Sequence, residues 1–203
     1  MVSSCRRKPA SRPDGSWAPA FDGGDGMIRA LSIEFAISYN QNMALEQTLV
    51  LIKPDGMHRR LTGLVIDRLE AAGLKLVGAK VVSVSEKLAR EHYKDLSDKP
   101  FFENLIRYIR GEFHSIADHR IVAMVFEGEN GVALTRKVAG ATNPEDASPD
   151  TIRGSFGRVT TKGQFENVLH ASGNLKDAER EIKLWFAPSE VLNGHASPAK
   201  AIA

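Results

Sequence analysis

Four short apolar runs, rich in leucine and valine, constrain this chain more than any other feature: residues 48–52, 74–84, 120–126 and 165–169. Each has the composition of a buried strand and stops at proline, charged or polar residues. Between them the apolar period lengthens. Leu61, Leu64, Val65 and Leu69 recur at helical spacing up to Gly73, a common helix stop. Ser85 is placed to cap a helix through 88–93, and Phe101, Phe102, Leu105, Ile106 and Ile109 predict another after Pro100. Residues 130–138 read as a helix running into the loop 140–149, and Asn174 caps a last helix whose apolar side is Leu175, Ala178, Ile182 and Trp185. The order, βαβ and then a second βαβ with added helices, suits an α/β (α+β) four-stranded antiparallel sheet covered by helices. Pattern alone leaves this one arrangement among several.

A chain of 203 residues with 42% hydrophobic content holds one compact domain plus tails. The formal charge of +2 is near balance, so affinity for anions must come from local clusters such as Arg136 with Arg153, and composition does not call for nucleic acid. Cys5 is the sole cysteine, which rules out an intramolecular disulfide and suits a reducing compartment. No run approaches the ~20 apolar residues that span a bilayer, and the best signal-core candidate, 27–37, carries Arg29 and Glu34. A cytoplasmic location is expected, with no membrane. Residues 1–42 are expected to form a mobile extension, because Pro9, Pro13, Pro19 and Gly23-Gly24-Asp25-Gly26 break every regular period. Residues 193–203 are expected to be a flexible tail.

The chemistry gathers near His170. It ends the run 165–169 and precedes small polar residues and a helix, so its imidazole is expected at a strand mouth, with Glu181 eleven residues on and able to reach the ring. A lone histidine is more often a surface or core residue, and His58, His92, His114, His119 and His195 are assigned to that class. What distinguishes His170 is its company. Lys53-Pro54-Asp55-Gly56, Thr142-Asn143-Pro144, Thr151-Ile152-Arg153-Gly154 and Asn167-Val168-Leu169-His170-Ala171-Ser172 occur in this order over about 46–192. In that set the chain resembles nucleoside diphosphate kinases, and the resemblance selects the ferredoxin-like βαββαβ plan for a domain at 43–192. Met43 stands just before that domain and offers a later translation start, while Arg6, Arg7 and Lys8 leave a targeting arm as the alternative for the residues upstream.

The resemblance implies an enzyme that moves the γ-phosphate of ATP or another nucleoside triphosphate onto a nucleoside diphosphate through a phosphohistidine at His170, with ping-pong kinetics. Only a neutral imidazole has the lone pair this needs, and histidine's ordinary pKa near ~6.5 keeps the neutral ring abundant. By the same resemblance Lys53 and Asn167 grip ribose and phosphates, Arg136, Thr142 and Arg153 hold phosphate, Phe101 stacks on the base and Leu105 lines that slot. Tyr93, Ser172 and Glu181 support the histidine. Periodicity by itself would put Phe101 in the core. Mg²⁺ is expected to ride on the nucleotide phosphates with no protein metal cage, and a homo-oligomer, tetramer or hexamer, is expected.

Three departures qualify the match. Residues 154–166 are longer than usual, leaving Val159 only a candidate for the aliphatic base contact; 111–118 is a second extra stretch; and Gly173 stands where many members carry aspartate. They motivate the competing reading of a fold-retaining nucleotide-binding or regulatory module without turnover. Gly154-Ser155-Phe156-Gly157 also fits the short G-x-x-G clamp of RNA-binding KH modules, a pattern common by chance. The P-loop pattern is absent.

Overall fold

The computed structural model describes residues 45–192. The expected extension at 1–42 and the tail at 193–203 lie outside the described residues, as do Cys5, the basic trio, the run 27–37 and His195. The first half runs β1 (Leu45–Ile52), α1 (Pro54–His58), α2 (Thr62–Ala71), β2 (Lys75–Ser83), α3 (Glu86–His92) and α4 (Phe102–Ile109). The second runs β3 (Arg120–Glu129), α5 (Gly131–Ala139), α6 (Ile152–Phe156), β4 (Arg158–Val159), β5 (Phe165–Glu166), β6 (Leu169–Ala171) and α7 (Leu175–Trp185). Four strands form one sheet in the order β2-β3-β1-β6, with every neighbouring pair antiparallel. This is the ferredoxin-like arrangement, with extra helices.

β1 is central and covered on both faces, so Leu49, Val50, Leu51 and Ile52 are all fully buried. Successive residues serve opposite cores, as the two-residue strand period requires. Leu49 and Leu51, with Ile121, Ala123 and Val125 of β3, pack against α3, α4 and α7 through Ala89, Ile106, Ile109 and Trp185. Val50 and Ile52, with Met124 and Phe126, pack on the other face against Val65 and Leu69 of α2 and Ala139 of α5. In β6 the register sets Leu169 opposite Ile52, His170 opposite Leu51 and Ala171 opposite Val50. His170 therefore shares the face of Leu51, toward α3, α4 and α7. A slip of one residue would turn it into the other core.

The fourth strand differs from the one expected over 165–169. Phe165–Glu166 pairs back onto Arg158–Val159 as a separate hairpin, and the sheet strand begins only at Leu169, so His170 lies inside a strand and not beyond its end. The cause is Val168, a β-branched residue with a φ of 68° that interrupts the extended run. Such a conformation costs about 1–3 kcal/mol and persists only when its surroundings impose it. Here the Val168 N–H donates to Asp55 Oδ2 at 2.9 Å, and the Lys53 N–H donates to the Val168 carbonyl at 2.8 Å. Asp55 Oδ1 also accepts the buried Tyr108 hydroxyl at 2.5 Å. A side chain at Gly56 would put its Cβ 2.7 Å from the Val168 carbonyl oxygen, which explains glycine in Lys53-Pro54-Asp55-Gly56.

Smaller differences have local causes. Pro54 cannot extend β1 but suits a first helical position, and it starts α1, which the sequence pattern did not predict. Asn130 sits outside α5 in the left-handed region, with φ 50°. Leu175 is 49% exposed at the first turn of α7, while Ala178 and Trp185 are buried. Ser85 and Asn174 cap as expected, accepting the N–H of Leu88 and of Asp177. The segment 154–157 closes α6 instead of forming a clamp loop, and its glycines answer to crowding: a Cβ at Gly154 would lie 2.0 Å from the Ser148 carbonyl oxygen.

Asp55→Ala strands two buried donors, the Val168 N–H and the Tyr108 hydroxyl, and should lower stability by about 2–5 kcal/mol. Urea unfolding measures this. A midpoint equal to that of the unmodified protein would remove Asp55 from its anchoring role.

Candidate active site

A cleft of about 570 Å³ opens where β6, α3, α4, α7 and the β4–β5 hairpin meet. It is lined by Lys53, Tyr93, Phe101, Leu105, Arg136, Thr142, Arg153, Asn167, His170 and Glu181, nearly all the residues singled out from sequence. Ser172 is buried just behind it. Another hollow, of about 680 Å³ between the end of α2 and α5, contains lysines and glutamates but no histidine, cysteine, serine or threonine. The chemistry therefore falls to the first.

His170 is anchored from α7. Its Nε2 lies 2.9 Å from Glu181 Oε2, the same oxygen that accepts the Ser172 hydroxyl at 2.7 Å. Ser172 Oγ in turn accepts the Leu49 N–H at 3.2 Å, tying the carboxylate to β1. Burial alone would raise the Glu181 pKa, but the hydrogen bonds from His170 and Ser172, with Arg180 nearby, outweigh it and hold the carboxyl below its ordinary value. An ionised Glu181 accepts, so the neutral ring carries its hydrogen on Nε2 and keeps a lone pair on Nδ1.

Lys53, Arg136 and Arg153 face the cleft, and among the described residues none of the three forms an ion pair; a fourth cation, Arg180, does, lying 3.7 Å from both Asp95 and Glu181. Lys53 Nζ donates to Asn167 Oδ1 at 2.7 Å, and Asn167 Nδ2 donates to the Thr142 carbonyl at 2.6 Å. Burial, and secondarily the Arg153 charge, lower Lys53 from 10.5 to about 8. Arg153 donates to the carbonyls of Gly140 and Leu169 at 2.8 and 3.0 Å, and its buried Nε has no partner. Burial, then the nearby Arg136 charge, lower it to about 10. Asp55 partly offsets the Lys53 charge, but holding Lys53, Arg136 and Arg153 so close without a directly paired carboxylate is costly unless an anion joins them. The arrangement suits an oxyanion ligand carrying several negative charges.

One further neighbour of His170, His92, was not singled out in the sequence. His92, assigned there to the ordinary class, is indeed a buried residue, but its ring stands edge-on to His170 with centroids 4.5 Å apart. The Trp185 indole N–H donates to His92 Nδ1 at 3.1 Å, and His92 Nε2 has no partner. Burial above all, then the His170 charge, push the His92 pKa well below its ordinary value. Tyr93 lies edge-on to His170 at 6.3 Å, and burial raises its hydroxyl pKa. His92, His170 and Glu181 are close enough to share an ion, but His170 Nε2 and Glu181 Oε2 are already engaged with one another. Only the Lys53-Pro54-Asp55-Gly56 motif hinted at Asp55; nothing local marked His92, and the helical period marked Trp185 only as part of the apolar side of α7.

The mouth of the cleft also departs from expectation. Phe101 is 51% exposed where periodicity would bury it, while Phe102 takes the core position. Of the hairpin, Gly163, Gln164 and Phe165 line the cleft and Val159 does not. At Gly173 a Cβ would lie 2.8 Å from Asp177 Oδ2, so the glycine leaves room for an Asp177 carboxylate that itself lines the cleft.

A sequence model of the family described as nucleoside diphosphate kinase matches residues 46–191. The chain belongs to the nucleoside diphosphate kinase family. A nucleoside diphosphate kinase of Staphylococcus carnosus is 47% identical over 147 residues, 72% of this chain and 91% of the relative. A nucleoside diphosphate kinase structure from Borrelia burgdorferi, a transition-state mimic with bound vanadate and ADP, aligns with a TM-score of 0.67 and 39% identity, covering 75% of this chain and 93% of that one. A halophilic nucleoside diphosphate kinase from Halobacterium salinarum, in complex with CDP, aligns at 0.65 and 39%, covering 74% and 93%. As a nucleoside diphosphate kinase, the chain is a phosphotransferase that binds nucleotides, and the family uses a divalent metal.

The buried Lys53 charge sets a pH dependence. Below about pH 8 the folded protein bears the cost of that charge; between about 8 and 10.5 the folded state releases the proton that the unfolded chain keeps, so stability rises. From pH 8 to 10.5 the unmodified kinase should gain roughly 2–3 kcal/mol of unfolding free energy relative to Lys53→Met. Denaturant titrations across that range measure it. A difference constant with pH would contradict the assigned burial.

Proposed function

We propose that this kinase works through a phosphohistidine on His170 Nδ1. The observation that carries the reading is the geometry of one ring: Nε2 is fixed by Glu181, and the ring lines the same cleft as Lys53, Arg136 and Arg153. The Nδ1 lone pair attacks the γ-phosphorus of a nucleoside triphosphate. The N–P bond forms as the bond to the β,γ-bridging oxygen breaks, and the diphosphate leaves with that oxygen. In the second half a terminal oxygen of an incoming diphosphate attacks the phosphohistidine, and the electron pair returns to Nδ1.

Charge placement makes both halves feasible. Arg136 and Arg153 offer planar forks to phosphate oxygens, Thr142 adds a hydroxyl, and Lys53 with Asn167 holds ribose and phosphate. Lys53, held by Asn167, and Arg153, held by two carbonyls, are anchored before the reaction and need no rearrangement as charge shifts between the bridging oxygen and the ring. Glu181 steadies the ring as it gains positive character, and Ser172 steadies Glu181. Tyr93 walls the ring, while Phe101 and Leu105 receive the base.

Mg²⁺ is the divalent metal this reading assigns, and it would neutralise phosphate charge. The donor set suits an ion carried on the nucleotide: Asp177, held by Asn174 Nδ2 at 2.8 Å, is a hard oxygen donor in the cleft able to accept hydrogen bonds from a hydrated ion. It stands in for the aspartate expected where Gly173 occurs.

Self-association is also proposed. Among the described residues β2 is an outer strand, covered at Val77 by the Leu192 N–H at 2.8 Å but open beyond, where Val81 is 66% exposed. No described helix is long and apolar enough to cross a membrane. A cytoplasmic setting is part of the proposal, as is a kinase domain at 43–192 between an extension and a tail.

Intact-mass measurement tests the central claim. ATP should add one phosphoryl group, GDP should remove it, and His170→Ala should show neither the adduct nor transfer to GDP. Full transfer by His170→Ala would overturn the proposal.

A further inference from the structure

The cleft is chemically divided. One part holds His170 and the cations; the other holds Phe101, Leu105 and Phe165, with Gln164 beside them. Phe101 and Phe165 are 51% and 37% exposed. They come from different elements, Phe101 from the entry to α4 and Phe165 from the β4–β5 hairpin. Two aromatic faces left wet in one cleft need a flat, apolar occupant.

The hairpin is built to hold its place. Its turn is locked internally: the Thr160 N–H donates to the Gln164 carbonyl at 2.9 Å, the Gly163 N–H to the Thr160 carbonyl at 2.8 Å, and the Gln164 N–H to Thr160 Oγ1 at 3.0 Å. Gly163 permits this with a φ of 74°. At its base, Glu166 is gripped through both oxygens, by Arg158 Nε at 2.5 Å and by His114 Nε2 at 2.9 Å. His114 belongs to the other extra stretch, 111–118. The two additions therefore meet in one well-shielded contact, with the side chains of His114 and Glu166 each 9% exposed. Burial would raise the Glu166 pKa, but the hydrogen bonds from Arg158 and His114 prevail and keep it below the ordinary carboxyl value.

We propose that these two segments together build a second wall of the nucleobase slot, in which Phe165 stacks on the face of the base away from Phe101 and the Gln164 amide meets its edge. The inference rests on the nucleotide reading above and deepens it. An aliphatic contact would gain little from a larger base, whereas an aromatic one gains with stacking area, so the wall favours purines over pyrimidines. Glutamine supplies both a donor and an acceptor, so it suits the varied edges of different bases. His114 and Glu166 are positioning residues that hold the wall in place.

Calorimetric titration of the full chain with ADP, CDP and inorganic pyrophosphate decides the matter. Phe165→Ala should weaken ADP about tenfold and CDP about threefold, and leave pyrophosphate, which has no base, unchanged. Phe165→Leu, which keeps the apolar contact and removes the ring, should fall between. His114→Ala should reproduce the same base-dependent pattern with smaller factors. Lys162→Ala, at the exposed tip of the turn, is the control and should match the unmodified chain. Equal losses for all three ligands would mark Phe165 as merely structural and overturn the proposal, as would unchanged ADP affinity in Phe165→Ala. Unmodified protein that binds ADP with this pattern but takes no phosphoryl group from ATP would end the phosphohistidine reading and leave the base wall standing.

Discussion

One backbone position holds the geometry of the cleft together. Val168 is forced into a conformation that a β-branched side chain disfavours, and the force comes from Asp55, from the Lys53 amide and from the bare α-carbon of Gly56. The turn at Val168 ends the hairpin register and begins that of β6. It separates Asn167, which meets Lys53, from His170, which meets Glu181. A relaxed strand would alternate these side chains strictly across the sheet. The twist lets both serve one cleft, at a local cost the buried carboxylate of Asp55 offsets.

Electrostatics gives the cleft its character. Lys53, Arg136 and Arg153 are drawn together against their mutual repulsion, while the one carboxylate touching the reactive ring, Glu181, is itself tied to Ser172 and through it to β1. The charges of Lys53 and Arg153 are thus fixed in the scaffold before any ligand arrives, and the imidazole is oriented by a group anchored to a central strand. Each part alone is ordinary. Their arrangement makes a place where a polyphosphate is more at home than water.

Much of this was legible in the sequence, and the failures have physical reasons. The two-residue period of β1 and β3 and the caps Ser85 and Asn174 are local signals, and the structure follows them. The ordered motifs pointed to Lys53, Arg136, Arg153, Asn167 and His170, which converge as that order implied. The fourth strand was misplaced because no propensity announces a left-handed valine; only tertiary hydrogen bonds impose it. Phe101 and Phe102 are indistinguishable by period, and packing alone decides that the second is buried. His92 and His114 were passed over because their partners, Trp185 and Glu166, lie 93 and 52 residues away.

The Trp185 indole has a consequence for selectivity between two adjacent imidazoles. Indole nitrogen can only donate, so His92 Nδ1 must accept, and the neutral His92 ring bears its hydrogen on Nε2. Both nitrogen lone pairs are thereby withdrawn: one is engaged by tryptophan and the other is replaced by N–H. Although His92 lies in contact with His170, it is left with no electron pair to offer a phosphorus atom. In the proposed reaction through His170, a tryptophan outside the cleft lining thus removes the adjacent imidazole as a competing acceptor.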